Sequence, residues 1–412
     1  MKNFYYFIVV FTGIMILSGC SQSERDYRAE AMKIHEEIFT IDTHIDTPML
    51  MVNEGWNIAE DHSLEDGARS CVDLPRMKKG GLDAAFFAVF VAQQERTPEN
   101  YRHAQEEAAN MINALNIMCE TNPSVIRFAY TPEQAFSNKQ DKYLTAFMGL
   151  ENGFPVAMDI SNIKKYYDMG IRYITLCHTK NNDICDSSND KPEHGGLSEF
   201  GKKVVKRMNE LGMIIDVSHI SDKSFFDVIE LSTAPVVASH SSVRAVCDHP
   251  RNMTDEMLLK LKENGGVVQM CILDDYVKTP PENIERDEEF ASLEKKYGKW
   301  SEIKDNAIIE KYMADWSAIK AKYPGDMATV KDFVDHIDHA VNLIGIDFVG
   351  IGTDFDGGGG LRDCRDASEL PNITAELLRR GYSKDDLRKI WGGNFMRVFK
   401  QIIAQGLRGE DL

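Results

Sequence analysis

Several residues in this chain have the types and spacing to hold divalent cations. His44-Ile45-Asp46 follows a short apolar run. In extended backbone, residues i and i+2 project to the same side, so its imidazole and carboxylate can reach one point. Two further apolar runs end in Ser-His, namely Ile215-Asp216-Val217-Ser218-His219 and Val237-Ala238-Ser239-His240. Neutral imidazole is a common zinc ligand. Glu151, in Gly149-Leu150-Glu151-Asn152-Gly153, is a glycine-flanked carboxylate just past another apolar run. A shared carboxylate is the usual device for holding two cations about 3.5–4 Å apart. Singly, each would read as a strand-end acid or a satisfied buried histidine. Two Ser-His ends at matching positions make that account poor, and the chemistry they suit is metal-assisted hydrolysis.

Three other positions suit the steps around such a centre. His178 ends Ile174-Thr175-Leu176-Cys177-His178 and is either a further ligand or a donor to a developing oxyanion. Asp354, in Gly352-Thr353-Asp354-Phe355-Asp356-Gly357, suits proton transfer; Asp356 is the alternative two residues on. Arg251, in His249-Pro250-Arg251-Asn252, could clamp a substrate carboxylate bidentately or simply cap the surface. His336 and His339 share an amphipathic helical pattern and belong to an outer layer, and His35, His62, His103, His194 and His249 are not at strand ends. The chain has no H-E-x-x-H, no G-x-S-x-G and no phosphate loop, which removes zincin, serine-hydrolase and P-loop chemistries.

Something must bring these residues to one place. β-branched and aromatic runs at 38–42, 84–91, 145–150, 173–177, 213–217, 236–239, 267–272 and 348–353 alternate with amphipathic segments such as 199–211 and 222–231. Eight strand–helix alternations predict an α/β fold, a closed (β/α)8 TIM-type barrel, whose active site sits at the carboxyl ends of the strands. Six of the eight strands end in one of the residues above. Residues 274–328, rich in Lys, Glu, Asp and Ala, are expected as a helical insertion after strand seven. Ser383-Lys384-Asp385-Asp386-Leu387 opens a C-terminal helical closure carrying Trp391, Phe395, Val398 and Phe399, with 403–412 as a tail.

The amino terminus reads differently. Lys2 precedes a mostly apolar run from Phe4 to Leu17, too short for a comfortable membrane span, and Leu17-Ser18-Gly19-Cys20 resembles a bacterial lipobox. Residues 1–19 are therefore expected as a lipoprotein signal peptide, Cys20 as the lipidated residue and 20–34 as its tether. That places the chain in a bacterial cell envelope, periplasmic or surface-facing, touching the membrane only through its lipid. With 47 basic against 65 acidic residues the net charge is −18, which argues against nucleic acid and anionic headgroups as partners. The seven cysteines after Cys20 form no C-x-x-C pair.

Over residues 35–402 the chain resembles the membrane (renal) dipeptidase family, a branch of the amidohydrolase-like metal enzymes. The resemblance rests on Asp42-Thr43-His44-Ile45-Asp46, Val72-Asp73-Leu74-Pro75-Arg76, Gly149-Leu150-Glu151-Asn152-Gly153, Asp216-Val217-Ser218-His219, Ser239-His240-Ser241-Ser242, His249-Pro250-Arg251-Asn252 and Gly352-Thr353-Asp354-Phe355-Asp356-Gly357. It implies a dimeric dipeptidase with two zinc ions per chain. His44 and Asp46 would bind one zinc, His219 and His240 the other, and Glu151 would bridge. His178 would contact the scissile carbonyl, Arg251 the terminal carboxylate and Asp354 the transferred proton. A hydroxide between the zincs would attack the amide of dipeptides, some with a D-residue at the C-terminal position. Two departures bear on the pocket: Asn152 stands where glycine is expected, and Cys271-Ile272-Leu273 stands where the family often has Asn-Phe-Tyr, so that Tyr276 is the nearby tyrosine. The alternatives are a related hydrolase acting on N-acyl amino acids or lactams and a non-catalytic binding lipoprotein, which predicts missing ligands.

Overall fold

The computed structural model describes residues 26–63, 70–298, 303, 306–323 and 326–409; the expected signal peptide and Cys20 lie outside the described residues. Among the described residues nine strands form one parallel sheet: β1 (Ile41–Ile45), β2 (Ala84–Phe90), β3 (Ile126–Phe128), β4 (Leu144–Glu151), β5 (Ile171–Thr175), β6 (Ile214–Asp216), β7 (Val237–Ala238), β8 (Val267–Met270) and β9 (Val349–Ile351). Eight of them follow the order β1-β2-β4-β5-β6-β7-β8-β9, and β3 pairs beside β4. β2 and β4 are almost continuously apolar and buried, as strands covered on both faces must be. The ring closes at its mouth, where Ile45 bridges Phe355, Asp46 N donates to Phe355 O at 2.8 Å and Asp354 N to His44 O at 3.0 Å. Deeper in, the Asp42 carboxylate joins the two edges by accepting from Thr353 N at 2.8 Å and Thr353 Oγ1 at 2.5 Å. The molecule is a (β/α)8 TIM-type barrel.

The helices start where the sequence supplies caps. Ser198, Ser221 and Thr254 each accept from a first-turn N–H at the head of Glu199–Leu211, Asp222–Leu231 and Asp255–Asn264, and Thr329 with Asp332 forms a capping box on Val330–Ile344. The barrel interior is filled from below. Phe86, Phe147 and Tyr173 project inward and meet Phe395 and Phe399 of the C-terminal helix Asn394–Gly409, with Phe86–Phe395 centroids 5.4 Å apart and Phe147–Phe399 5.7 Å. Each such ring contributes about 1.5–3 kcal/mol by leaving water. This plug fixes the base of the barrel and leaves the opposite end free for chemistry.

Four expectations need correction. β1 starts and ends three residues later than expected because the helix Tyr27–Glu37 occupies the preceding chain, so His44 lies within the strand and Asp46 just beyond it. The same helix replaces most of the expected tether, leaving only residues before Tyr27 outside it. The closing helix runs on to Gly409, absorbing most of the expected tail; Gly406 allows this, since a Cβ there would lie 2.2 Å from Gly212 N. The short β3, bracketed by Pro123 and Pro132, was not expected and takes the lower half of the edge of β4 that β5 reaches only higher up.

Between 274 and 328 the described residues include the helices Asp274–Val277, Ile284–Tyr297 and Asn306–Lys322, with a small core of Leu293, Tyr312 and Ile319 separate from that of the barrel. No helix among the described residues is long and apolar enough to cross a membrane.

Candidate metal centre

The strand ends of β1, β4, β5, β6, β7 and β9 deliver His44, Glu151, His178, His219, His240 and Asp354 to one cluster, with Asp46 one step past β1. Three overlapping groups, His44–Glu151–His240, Glu151–His178–His219 and His44–Asp46–Asp354, each have ligand atoms within 4.8 Å of one another. Glu151 organises them. Its Oε2 lies 3.3 Å from His44 Nε2, while Oε1 lies 3.1 Å from His219 Nε2, 3.6 Å from His240 Nε2 and 3.7 Å from His178 Nε2. The two carboxylate oxygens thus separate a His44/Asp46 side from a His219/His240 side.

The residues aim their ring nitrogens and carboxylates at each other and leave several of those atoms unsatisfied. His219 Nε2 and His240 Nε2 stand 2.8 Å apart, and His44 Nε2 faces Asp46 Oδ2 at 3.4 Å. His44 Nε2, Asp46 Oδ1 and His219 Nδ1 are buried with no hydrogen-bond partner among the described residues. Burying polar atoms unpaired costs about 1–3 kcal/mol each, and three buried carboxylates around four imidazoles is a donor set that divalent cations satisfy. The residues therefore fit metal ions.

Electrostatics point the same way. Burial, reinforced by the Arg251 charge and the neighbouring imidazoles, holds His219 and His240 well below the usual histidine range, so both are neutral, the form that binds metal. Burial and Arg251 also lower His178. For His44 burial acts downward, but Glu151 and Asp46 outweigh it and raise it well above the usual range. Burial raises both Asp46 and Asp354, followed by repulsion from Glu151 at Asp46 and from Asp46 at Asp354. A cation would invert that repulsion.

The backbone is bent to achieve this. Asn152, His219, Asp354 and Asp356 adopt left-handed φ of 72°, 69°, 64° and 67°, conformations that non-glycine residues take at some cost. Gly357 has no such freedom to become larger, because a Cβ would lie 2.1 Å from Asp46 Oδ2 and 2.4 Å from Asp354 Oδ1.

Asp354 and Asp356, alternatives in the sequence, separate clearly. Asp354 faces the cluster, whereas Asp356 accepts from Thr47 Oγ1 at 2.6 Å and from Cys71 N, tying two loops together. Arg251 is buried under the site. Its Nη2 donates to His240 O at 2.9 Å and its Nη1 to Ser241 Oγ at 3.4 Å, and its Nε has no partner among the described residues. It is therefore not a surface cap, and most of its five N–H donors remain for a ligand. Tyr276 does come beside it, with the guanidinium 5.2 Å from the ring centroid. Asn152 is fully buried. Its side chain donates to Val91 O at 2.9 Å and accepts from Asn182 Nδ2 at 3.0 Å, joining two loops.

Three supporting residues have no role in the sequence reading. Asp216 Oδ2 accepts from Ser239 Oγ at 2.6 Å, and that oxygen lies 2.8 Å from His240 Nδ1. Asp216 Oδ1 accepts from Ser218 N and Ser239 N, so one carboxylate steadies the turns of both Ser-His motifs. The third is Tyr173, whose hydroxyl lies 2.8 Å from His44 Nδ1. Asp216 carried a signal, as an acid in an otherwise apolar strand; Tyr173 carried none beyond opening the expected strand 173–177.

Comparison with known proteins agrees with this geometry. A model of the membrane dipeptidase family, peptidase family M19, matches residues 28–408. Dipeptidase 3 of Rattus norvegicus is 29% identical over 386 residues, covering 92% of this chain and 68% of that protein. Dipeptidase aclJ of Aspergillus oryzae is 32% identical over 337 residues, covering 80% and 70%. The crystal structure of the probable dipeptidase PvdM from Pseudomonas aeruginosa matches with a TM-score of 0.81 at 32% identity, covering 92% of this chain and 99% of that one. A metallo peptidase from Rhodobacter sphaeroides, liganded with a phosphinate mimic of the dipeptide L-Ala-D-Ala, shares the fold with a TM-score of 0.71 at 22% identity, covering 89% and 99%.

Proposed function

This chain belongs to the membrane dipeptidase family, a family of metallopeptidases, and from that premise we propose that it is a binuclear zinc dipeptidase. The observation that carries the reading is Glu151, whose two oxygens face different histidines across a buried cluster. In the proposal His44 and Asp46 would hold one zinc and His219 and His240 the other, with Glu151 available to both. When bound, the pair of cations supplies Lewis acidity and a water acidified toward neutral pH.

The chain's own residues do the rest. Arg251, buried with donors to spare, orients the free carboxylate of a dipeptide by charge-assisted hydrogen bonds. His178 stands at the rim with its side chain 23% exposed, the most open of the four imidazoles, and donates to the scissile carbonyl as charge develops there. Asp354 takes a proton from the attacking water and passes it to the leaving amine.

The test is a screen of L-L and L-D dipeptides against the zinc-loaded chain. Turnover of free-carboxylate dipeptides, with loss on chelation and recovery on adding zinc, supports the reading. Turnover confined to N-acyl amino acids or lactams would replace the substrate class and keep the metal chemistry. The finer expectation of a C-terminal D-residue rests on the L-D arm of the screen.

The lipobox reading of Cys20, an envelope location and a homodimer complete the proposal. A diacylglycerol mass on the amino-terminal peptide and a dimer mass in solution are the outcomes expected.

A further inference from the structure

Tyr173 sits in the middle of β5, fully buried, with its side chain in the barrel interior. Its ring stacks on Phe86 at 5.0 Å and lies across the bare Cα of Gly149 on β4, where a Cβ would be 2.1 to 2.6 Å from three ring carbons. Gly149 therefore makes room for this ring. The packing itself needs no oxygen, since the neighbouring inward positions are filled by Phe86 and Phe147. A buried phenol oxygen is costly unless it is bonded, and this one lies 2.8 Å from His44 Nδ1.

The three ligand-candidate histidines differ in this respect. His240 Nδ1 leans on the Ser239–Asp216 relay, His219 Nδ1 has no partner among the described residues, and His44 Nδ1 has the phenol. A hydrogen bond at one ring nitrogen fixes the tautomer and orientation of the other, and partners of this kind govern metal affinity.

We propose that Tyr173 is a positioning residue for His44. Its phenol oxygen accepts from Nδ1–H, leaves Nε2 bare toward Glu151 and Asp46, and so sets the affinity of the His44/Asp46 cation position without touching the His219/His240 position. Gly149 is the residue that permits it. The inference rests on the two-cation reading above.

The experiment compares wild type with Tyr173→Phe, both stripped by chelator and titrated with Co2+ against a competing chelator, following the visible absorption of the bound ion. Tyr173→Phe should weaken one class of site by about 10–100-fold and leave the other unchanged; the thermal midpoint of the metal-free protein should hold, since the ring stays. Gly149→Ala, which displaces the ring, should weaken the same class. Unchanged affinities in Tyr173→Phe overturn the assignment of Tyr173, whatever the stoichiometry of wild type. Equal weakening of both classes also overturns it. A wild-type chain that binds one cation overturns the two-cation reading instead, and one that binds none overturns both.

Discussion

Buried histidines occur in two kinds of place in this molecule, and the contrast between them separates structure from chemistry. Near the barrel's base, His35 has both ring nitrogens occupied, Nδ1 2.9 Å from Gly80 O and Nε2 2.7 Å from Thr374 Oγ1. In the outer layer, His336 accepts from Val243 N at 3.0 Å through Nδ1 and lies 2.8 Å from Val277 O through Nε2. At the mouth the pattern reverses. His219 and His240 point Nε2 at each other, and His44 Nε2 has carboxylates near it but no hydrogen bond among the described residues. Burial is similar in both places; satisfaction is not, since at the mouth His44 Nε2 and His219 Nδ1 have no hydrogen-bond partner among the described residues. A satisfied imidazole holds a fold together, and an unsatisfied cluster of imidazoles and carboxylates is held by the fold for a cation.

That contrast can be broken at the mouth first. Glu151→Gln removes the charge that two sets of ligands share, so kcat/KM should fall beyond the roughly 100-fold typical of losing an outer partner, with metal content reduced. Activity within tenfold of wild type would remove Glu151 from the centre. Asp354→Asn should lower kcat by about 10²–10⁴-fold, the range for a lost acid–base group, while metal analysis shows occupancy retained. Loss of metal together with activity would make Asp354 a ligand instead.

Arg251→Ala tests substrate rather than metal. Losing a charge-assisted pair worth about 1.5–3 kcal/mol should raise KM for free-carboxylate dipeptides roughly 10–100-fold more than for neutral amides. Equal effects on both would sink the carboxylate clamp.

His35 sharpens the comparison from the other side. Burial holds its pKa at about 4, against about 6.5 in an unfolded chain. The folded form therefore favours the neutral ring, and its contribution is complete above pH 6.5 and lost as pH falls toward 4. The loss is on the order of 3 kcal/mol. Urea midpoints between pH 7 and pH 4 should fall less steeply in His35→Gln than in wild type, and peptidase activity at pH 7 should be little altered. An identical slope in both would show that His35 is not the titrating group.

Much of the site was legible because strand ends are legible. His219 and His240 each close an apolar run in the same Ser-His pair, and period-two geometry put His44 and Asp46 on one side although β1 itself was placed three residues early. What was not legible depends on partners distant in the chain. Tyr173 is one aromatic residue in an apolar strand, and only the fold brings it to His44, 129 residues away. The choice between Asp354 and Asp356 turned on Thr47 and the Cys71 amide, which no local pattern links to residue 356. β3 escaped because three residues carry too little alternation to register.

The most direct test of a two-cation centre is the stoichiometry of metal binding read alongside turnover. The chelator-stripped chain, titrated with Zn2+, should take up two equivalents, with dipeptide hydrolysis absent before and complete at the second. Fewer than one equivalent bound, with no hydrolysis of any dipeptide on zinc addition, would contradict the account.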